Sequence, residues 1–153
     1  MKKLRVYLDN CSFNRPFDEQ EQILIELETI AKLEIQRLIK QGNFELIWSF
    51  MLDKENHDNP HDNRKEHILT WKKISSLVIK ENSIEITKKA RELENISIKA
   101  KDSAHLAVAI ISNCDYFITT DKKLINKNID EIKIINPINF IEREVNNDET
   151  KTK

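Results

Sequence analysis

The chain has 153 residues, of which 39% are hydrophobic and 33% are charged, so it is long enough to bury the core of one domain. Its 25 basic and 26 acidic residues give a formal net charge of -1, which excludes the strong basic field that draws many proteins to nucleic acid. Any nucleic-acid partner must therefore be held by a local group of cations.

The first strand and the first helix are predicted from a short apolar run and a longer periodic one. Residues 5–8 are β-prone, and Asp9 and Asn10 stop the run because both residue types favour turns. After a loop around Pro16, apolar residues recur at helical spacing over 23–38. This spacing predicts an amphipathic helix packed on a core.

A second strand and helix follow the only glycine of the chain. Gly42 stands where a helix needs a left-handed C-terminal cap, and residues 44–48 predict a strand. Ser49 then caps a short helix that carries Glu55, and the Asn-Pro pair at 59–60 ends that helix.

The middle of the chain predicts two more helices. Asn63 followed by Glu66 resembles a capping box, and apolar spacing extends the helix through Val78. A further helix spans about 86–93, with Asn95 in the left-handed position after it.

In the last third of the chain, one acid opens an apolar helix and another follows an apolar strand. Asp102 begins a helix that ends near Ser112 and is apolar nearly all round, which predicts burial. Residues 116–119 predict a strand that ends just before Asp121, and residues 132–135 predict another strand followed by a short helix.

The alternation of strands and helices predicts an α/β protein. The strands are too continuously apolar for a sheet with one wet face, so we expect a three-layer α/β/α sandwich with a central parallel sheet. We expect one domain over residues 1–145. Residues 146–153 contain no apolar side chain, which predicts a disordered tail.

Four acids are predicted to meet at one edge of this sheet, because ligands bind beyond the carboxyl ends of parallel strands. Asp9 and Asp121 follow strands there. Asp102 opens a helix, and Glu55 lies on the helix that leaves the second strand. Clustered carboxylates need protons or a cation, and all-oxygen ligands select Mg²⁺ or Mn²⁺. Asp53 is turned by about 200° from Glu55 on the same helix, so only one of the two can face the site.

Each of these acids also fits an ordinary structural role. Asp102 fits a helix N-cap, and Asp9 and Asp121 fit turn residues. Glu55 fits a solvated helix residue. His105 lies one turn after Asp102, and a packed helix residue bonded to nearby backbone is its favoured interpretation.

Four segments of the chain resemble the PIN domain. They are LDN at 8–10, KDSAHLAVA at 101–109, DYFITTDKKLI at 115–125 and INPINFI at 135–141. The resemblance covers about residues 4–142 and implies a PIN-like sandwich. It also implies a metal-dependent ribonuclease, often the toxin half of a toxin and antitoxin pair.

The resemblance implies roles for individual residues. The family's catalytic and metal-binding acids fall on Asp9, Glu55, Asp102 and Asp121. Thr119 matches a hydroxyl position near the metal, and Asn10 stands where many members carry Ser or Thr. The implied reaction uses one or two Mg²⁺ or Mn²⁺ ions to activate water for in-line attack on single-stranded RNA. Candidate substrate-binding residues are Asn10, Arg15, Thr119, Lys122 and Lys123.

Two rivals from other functional classes stay open. One is a catalytically silent PIN-like module that binds RNA or a protein partner. The other is a Mg²⁺-dependent phosphatase on a different doubly wound fold. That chemistry usually needs a second acid two residues after the first, and Cys11 occupies this position.

The expected environment of the chain is the cytoplasm. Cys11 and Cys114 lie far apart and form no CxxC pair, and Asp9 and Asn10 interrupt any apolar leader. No stretch approaches the ~18 uninterrupted apolar residues of a membrane span, so no membrane partner is expected. RNA is the expected substrate, and the candidate protein partners are an antitoxin and a second copy of the chain.

Overall fold

The computed structural model describes residues 3–9 and 22–146 and confirms the predicted α/β class. Its strands are β1 (Arg5–Leu8), β2 (Glu45–Ser49), β3 (Leu77–Ile79), β4 (Tyr116–Ile118) and β5 (Lys133–Ile135). Its helices are α1 (Gln22–Lys40), α2 (Phe50–His57), α3 (Asp62–Ile74), α4 (Ile84–Asn95), α5 (Ala100–Ile111), α6 (Lys122–Ile125) and α7 (Pro137–Phe140), followed by a π-helix (Ile141–Asn146).

The five strands form one parallel sheet in the order β3-β2-β1-β4-β5. The inner strands β1, β2 and β4 are buried along most of their length, because helices cover both faces of the sheet. On the flanks, α1 packs against α7 and the π-helix, and α4 packs against α5. The arrangement is the predicted three-layer α/β/α sandwich.

The edge strand β3 was not predicted, and the helix predicted through Val78 is wrong in its last turn. That helix is α3, and it ends at Ile74. Ser75 then adopts an extended conformation, and the Ser76 N–H donates to the Leu46 carbonyl at 2.8 Å. This bond draws the chain alongside β2, so Val78 joins the sheet although its apolar spacing continues the helical pattern.

Two predicted helix ends are wrong, and a third is confirmed. The residue before α3 is His61, which makes no side-chain capping bond, so Asn63 lies inside the first turn. After α4 the left-handed residue is Ser97, with φ 72°, rather than Asn95. The Ile98 N–H donates to the Leu93 carbonyl at 3.3 Å, and α4 ends at Asn95, two residues beyond the predicted end. Gly42 takes the predicted left-handed cap, with φ 84°.

Some predictions fall on residues that the structure does not describe. Asn10, Cys11 and Arg15 lie outside the described residues, and so does all of the predicted tail beyond Asn146. Asn146 itself ends the π-helix. Within the described ranges, no helix is both long enough and apolar enough to span a membrane.

Candidate functional site

The strand order places a crevice between β1 and β4. From β1 the chain proceeds outward through β2 to β3, and it later returns to the other side of β1 as β4. At such a switch point, right-handed crossovers send the helices after the two strands to opposite faces, which leaves an opening at the carboxyl ends of β1 and β4. Asp9 directly follows β1, and Thr119 directly follows β4.

Thr119 connects two of the predicted acids at this opening. Its hydroxyl donates to Asp9 Oδ2 at 2.8 Å and accepts from the Asp121 N–H at 3.1 Å. The side chain is fully buried, and Asp9 is only 7% exposed. The bonds hold the Asp9 carboxylate and the Asp121 backbone in a fixed relation across the two strands.

Asp121 also has the ordinary role that its sequence context allows. Its Oδ1 accepts from the N–H groups of Lys123 at 3.0 Å and Leu124 at 3.4 Å, which makes Asp121 the N-cap of α6. The cap fixes the direction of the carboxylate at the end of β4. A structural role and a place in the site therefore coincide in this residue.

Asp102 is not a helix cap, so that interpretation of the sequence is wrong. The N-cap of α5 is Lys99, and Asp102 lies within the first helical turn. Its pKa is raised by burial first, and then by the negative charges of Asp9 and Asp121. Asp102 is thus near enough to Asp9 and Asp121 for both charges to act on it.

Glu55 is mostly buried, so its interpretation as a solvated helix residue is also wrong. Its side chain is 10% exposed and approaches Lys101 Nζ at 2.7 Å and His105 Nε2 at 2.9 Å. Burial alone would raise the pKa of Glu55. The contacts with His105 and Lys101 lower it by more than burial raises it, so the net shift is downward. For Glu55 the net pKa shift is downward, whereas for Asp102 it is upward.

Asp53 points to a different part of the molecule, as its position on α2 predicts. Its carboxylate accepts from Trp48 Nε1 at 2.9 Å and from Lys72 Nζ at 3.1 Å. Glu55, and not Asp53, contacts α5. Of the two rivals, only Glu55 lies against the helix that carries Asp102.

A buried group of side chains behind Glu55 escaped prediction. The Tyr7 hydroxyl lies 2.6 Å from His105 Nδ1 and 2.7 Å from Ser49 Oγ. The expected backbone partner of His105 is wrong, because its ring contacts the side chains of Tyr7 and Glu55. The sequence carried one usable indication: Tyr7 stands in an inner strand, where a phenol needs a buried hydrogen-bond partner.

A groove of about 400 Å³ opens beside the acids. Asp102 and Asp121 line it together with three cations, which are Lys99, Lys123 and Lys127. Lys123 was predicted to stand here, whereas Lys122 is not among the lining residues. Lys99 and Lys127 were missed because only the folded chain brings the segment before α5 next to the segment after α6.

The donor set suits a hard divalent cation in chemistry and charge. Asp9, Asp102 and Asp121 offer carboxylate oxygens, and a cation would offset the negative charges that, after burial, raise the pKa of Asp102. Within residues 3–9 and 22–146, however, no three His, Cys, Asp or Glu side chains are grouped tightly enough to hold a metal ion. The aspartates interact through their charges but would have to move closer to share one ion.

The sequence matches no protein-family model and no curated protein. The resemblance to the PIN domain therefore stays a prediction.

Proposed function

We propose that the chain is a Mg²⁺- or Mn²⁺-dependent endoribonuclease that cleaves phosphodiester bonds of single-stranded RNA. The observation that carries the proposal is the Thr119 hydroxyl, which joins Asp9 to Asp121 at the switch point of the sheet. Asp102 lies near enough for both charges to act on it. Acids held together at this cost in repulsion are typical of a site that binds a cation.

The three aspartates have the role of ion ligands in this proposal. An ion held by Asp9, Asp102 and Asp121 would supply an activated water and neutralise charge that develops on the scissile phosphate. Thr119 holds the Asp9 carboxylate, and the α6 backbone holds that of Asp121. Because Glu55 already pairs with two side chains of α5, its contacts support a role in polarising the ligand shell rather than in direct ligation.

The groove supports RNA as the substrate. Lys99, Lys123 and Lys127 place three positive charges beside Asp102 and Asp121, so a phosphate can be attracted to an otherwise acidic rim. A scissile phosphate at this rim requires a backbone that can bend into the crevice, which a single strand provides. Because the net charge is near neutral, the attraction has to come from a local group of cations such as this one.

The proposal is tested by incubating the protein with labelled single-stranded RNA in Mg²⁺, Mn²⁺ or EDTA. We expect cleavage only with the metals, its loss in Asp102→Asn, and its retention in the matched control Asp53→Asn. RNA that binds but stays intact in every condition would contradict the proposal and support the silent binding module. Hydrolysis of p-nitrophenyl phosphate without RNA cleavage would support the phosphatase.

A further inference from the structure

A second groove, of about 740 Å³, lies along the exposed face of α4. Its lining includes Ile84, Lys88, Arg91 and Asn95, which are exposed and recur every three or four residues, so they share one face of the helix. The buried residues of α4 lie on its other side, and the helix packs against α5. We call this surface the α4 groove.

The lining of the α4 groove is net positive. Lys88 and Arg91 are exposed, and neither makes a hydrogen bond or an ion pair within the described part of the chain. Glu92 also lines the groove, but its carboxylate lies 2.8 Å from Lys89 Nζ. Two cations that lack a protein partner therefore stay available for an anionic ligand.

The α4 groove ends where the groove beside the acids begins. Asn95, the last residue of α4, lines the α4 groove, and Ser97 lines the groove beside the acids, so only Ile96 separates the two linings along the chain. The Ile96 carbonyl accepts from Lys127 Nζ at 3.5 Å, and Lys127 is one of the cations beside the acids. The two grooves therefore adjoin at the turn after α4, and Lys127 lies at their junction.

We propose that the α4 groove extends the RNA-binding surface: a single strand whose scissile phosphate lies at the acids continues past Lys127 and along α4, where Lys88 and Arg91 contact its backbone. The inference rests on the proposed ribonuclease function for the identity of the ligand. Positive charge favours a polyanion over an apolar partner, and continuity with the groove beside the acids favours the substrate over a separate ligand. The 12 residues of α4 span about 18 Å, so the groove is long enough to follow more than one nucleotide.

Binding of fluorescent oligouridines in EDTA tests the inference without cleavage. A strand of about 4 nucleotides can occupy the groove beside the acids alone, and a strand of about 16 can reach α4 as well. We expect the natural protein to bind the long strand more tightly. In Lys88→Ala/Arg91→Ala, the slope of log affinity against log salt should fall by about 1.4 for the long strand, at about 0.7 for each lost contact. The slope for the short strand should not change.

Arg37→Ala/Lys40→Ala is the matched control. It also replaces one Lys and one Arg that are three residues apart and exposed, but on α1, which packs against α7 and the π-helix instead of α5. Both double variants lose two positive charges and keep their helices, because Ala has the highest helix propensity. The control slopes should equal those of the natural protein. Equal slopes in the two double variants for the long strand would overturn the inference.

Failure of the ribonuclease proposal gives a different result. If the natural protein binds the long strand through Lys88 and Arg91 but cleaves no RNA in Mg²⁺ or Mn²⁺, the inference stands and the silent RNA-binding module becomes the favoured function. If it cleaves RNA, the α4 double variant should show a higher KM for the long strand. Binding of neither strand would overturn the inference. So would binding of polyglutamate in place of RNA, because an acidic protein segment would then be the occupant of the α4 groove.

Discussion

At the scale of single residues, the negative charge of Asp102 lowers the stability of the fold, although the proposed ion site needs that charge. Burial and the charges of Asp9 and Asp121 all raise its pKa above the ordinary 3.8. The folded protein therefore binds the Asp102 proton more tightly than the unfolded chain does. Ionised Asp102 lowers the stability of the fold as pH rises past 3.8, and the penalty disappears at pH below that value.

Asp102→Asn should therefore separate stability from activity. In the absence of metal, we expect the variant to be as stable as the natural protein or more stable at neutral pH, with the difference vanishing below pH 3.8. RNA cleavage should be lost. Urea unfolding at the two pH values measures the first effect, and a variant that is clearly less stable at neutral pH would contradict it.

Glu55 and Asp53 form a matched pair on one helix. We expect Glu55→Gln to reduce cleavage severely, because it weakens the contacts with Lys101 and His105. Asp53→Asn should leave cleavage nearly unchanged and cost at most about 1 kcal/mol, since its pair with Lys72 is partly exposed. Measuring kcat and unfolding free energy for both variants tests this. An essential Asp53 beside a dispensable Glu55 would reverse the assignment.

The acidic residues could be selected from the sequence because each lies beside a strand end or a helix start. Their partners could not. Tyr7 and His105 are separated by 98 residues, and the sequence offers no rule that pairs them. Only the stacking of α5 on β1 brings the imidazole to the phenol, so the backbone partner predicted for His105 is one that it does not have.

At the scale of elements, the segment that includes α6 carries both an acid and cations of the groove. Asp121 caps α6, while Lys123 and Lys127 line the groove. Replacing both lysines with Ala should weaken binding of unrelated single-stranded RNAs alike. The slope of log affinity against log salt should fall by about 0.7 for each phosphate that the variant no longer neutralises.

Lys133→Ala is the control for this measurement, because Lys133 begins β5 at the opposite end of the sheet. Its salt slope should equal that of the natural protein. An unchanged slope in the double variant would show that RNA is held elsewhere.

Helices and strands could be predicted wherever the apolar spacing in the sequence and the contacts between distant segments favour the same structure. Residues 23–38 carry apolar positions at helical spacing, residues 102–111 are apolar nearly all round, and both segments are helical. Val78 shows the opposite case. Its spacing continues α3, but the bond from Ser76 to Leu46 commits the chain to β2, and sheet pairing between distant segments leaves no local pattern.

At the scale of the whole molecule, the charge is balanced overall, and the charges of Asp9 and Asp121, at the carboxyl ends of β1 and β4, act on Asp102. A divalent ion that binds only the folded chain should stabilise it, by about 2.7 kcal/mol when free metal is 100 times its Kd. We expect Mg²⁺ and Mn²⁺ to raise the Tm of the natural protein and not that of Asp102→Asn. A Tm that does not respond to millimolar metal would show that the acids do not share an ion.

The central claim is that Asp9, Asp102 and Asp121 form one ion site, and Mn²⁺ binding followed by electron paramagnetic resonance measures it without reference to RNA. The natural protein should bind Mn²⁺, and each single Asp→Asn variant should bind it much more weakly. Asp53→Asn should bind it as the natural protein does. Equal Mn²⁺ affinity in the natural protein and all three aspartate variants would contradict the account.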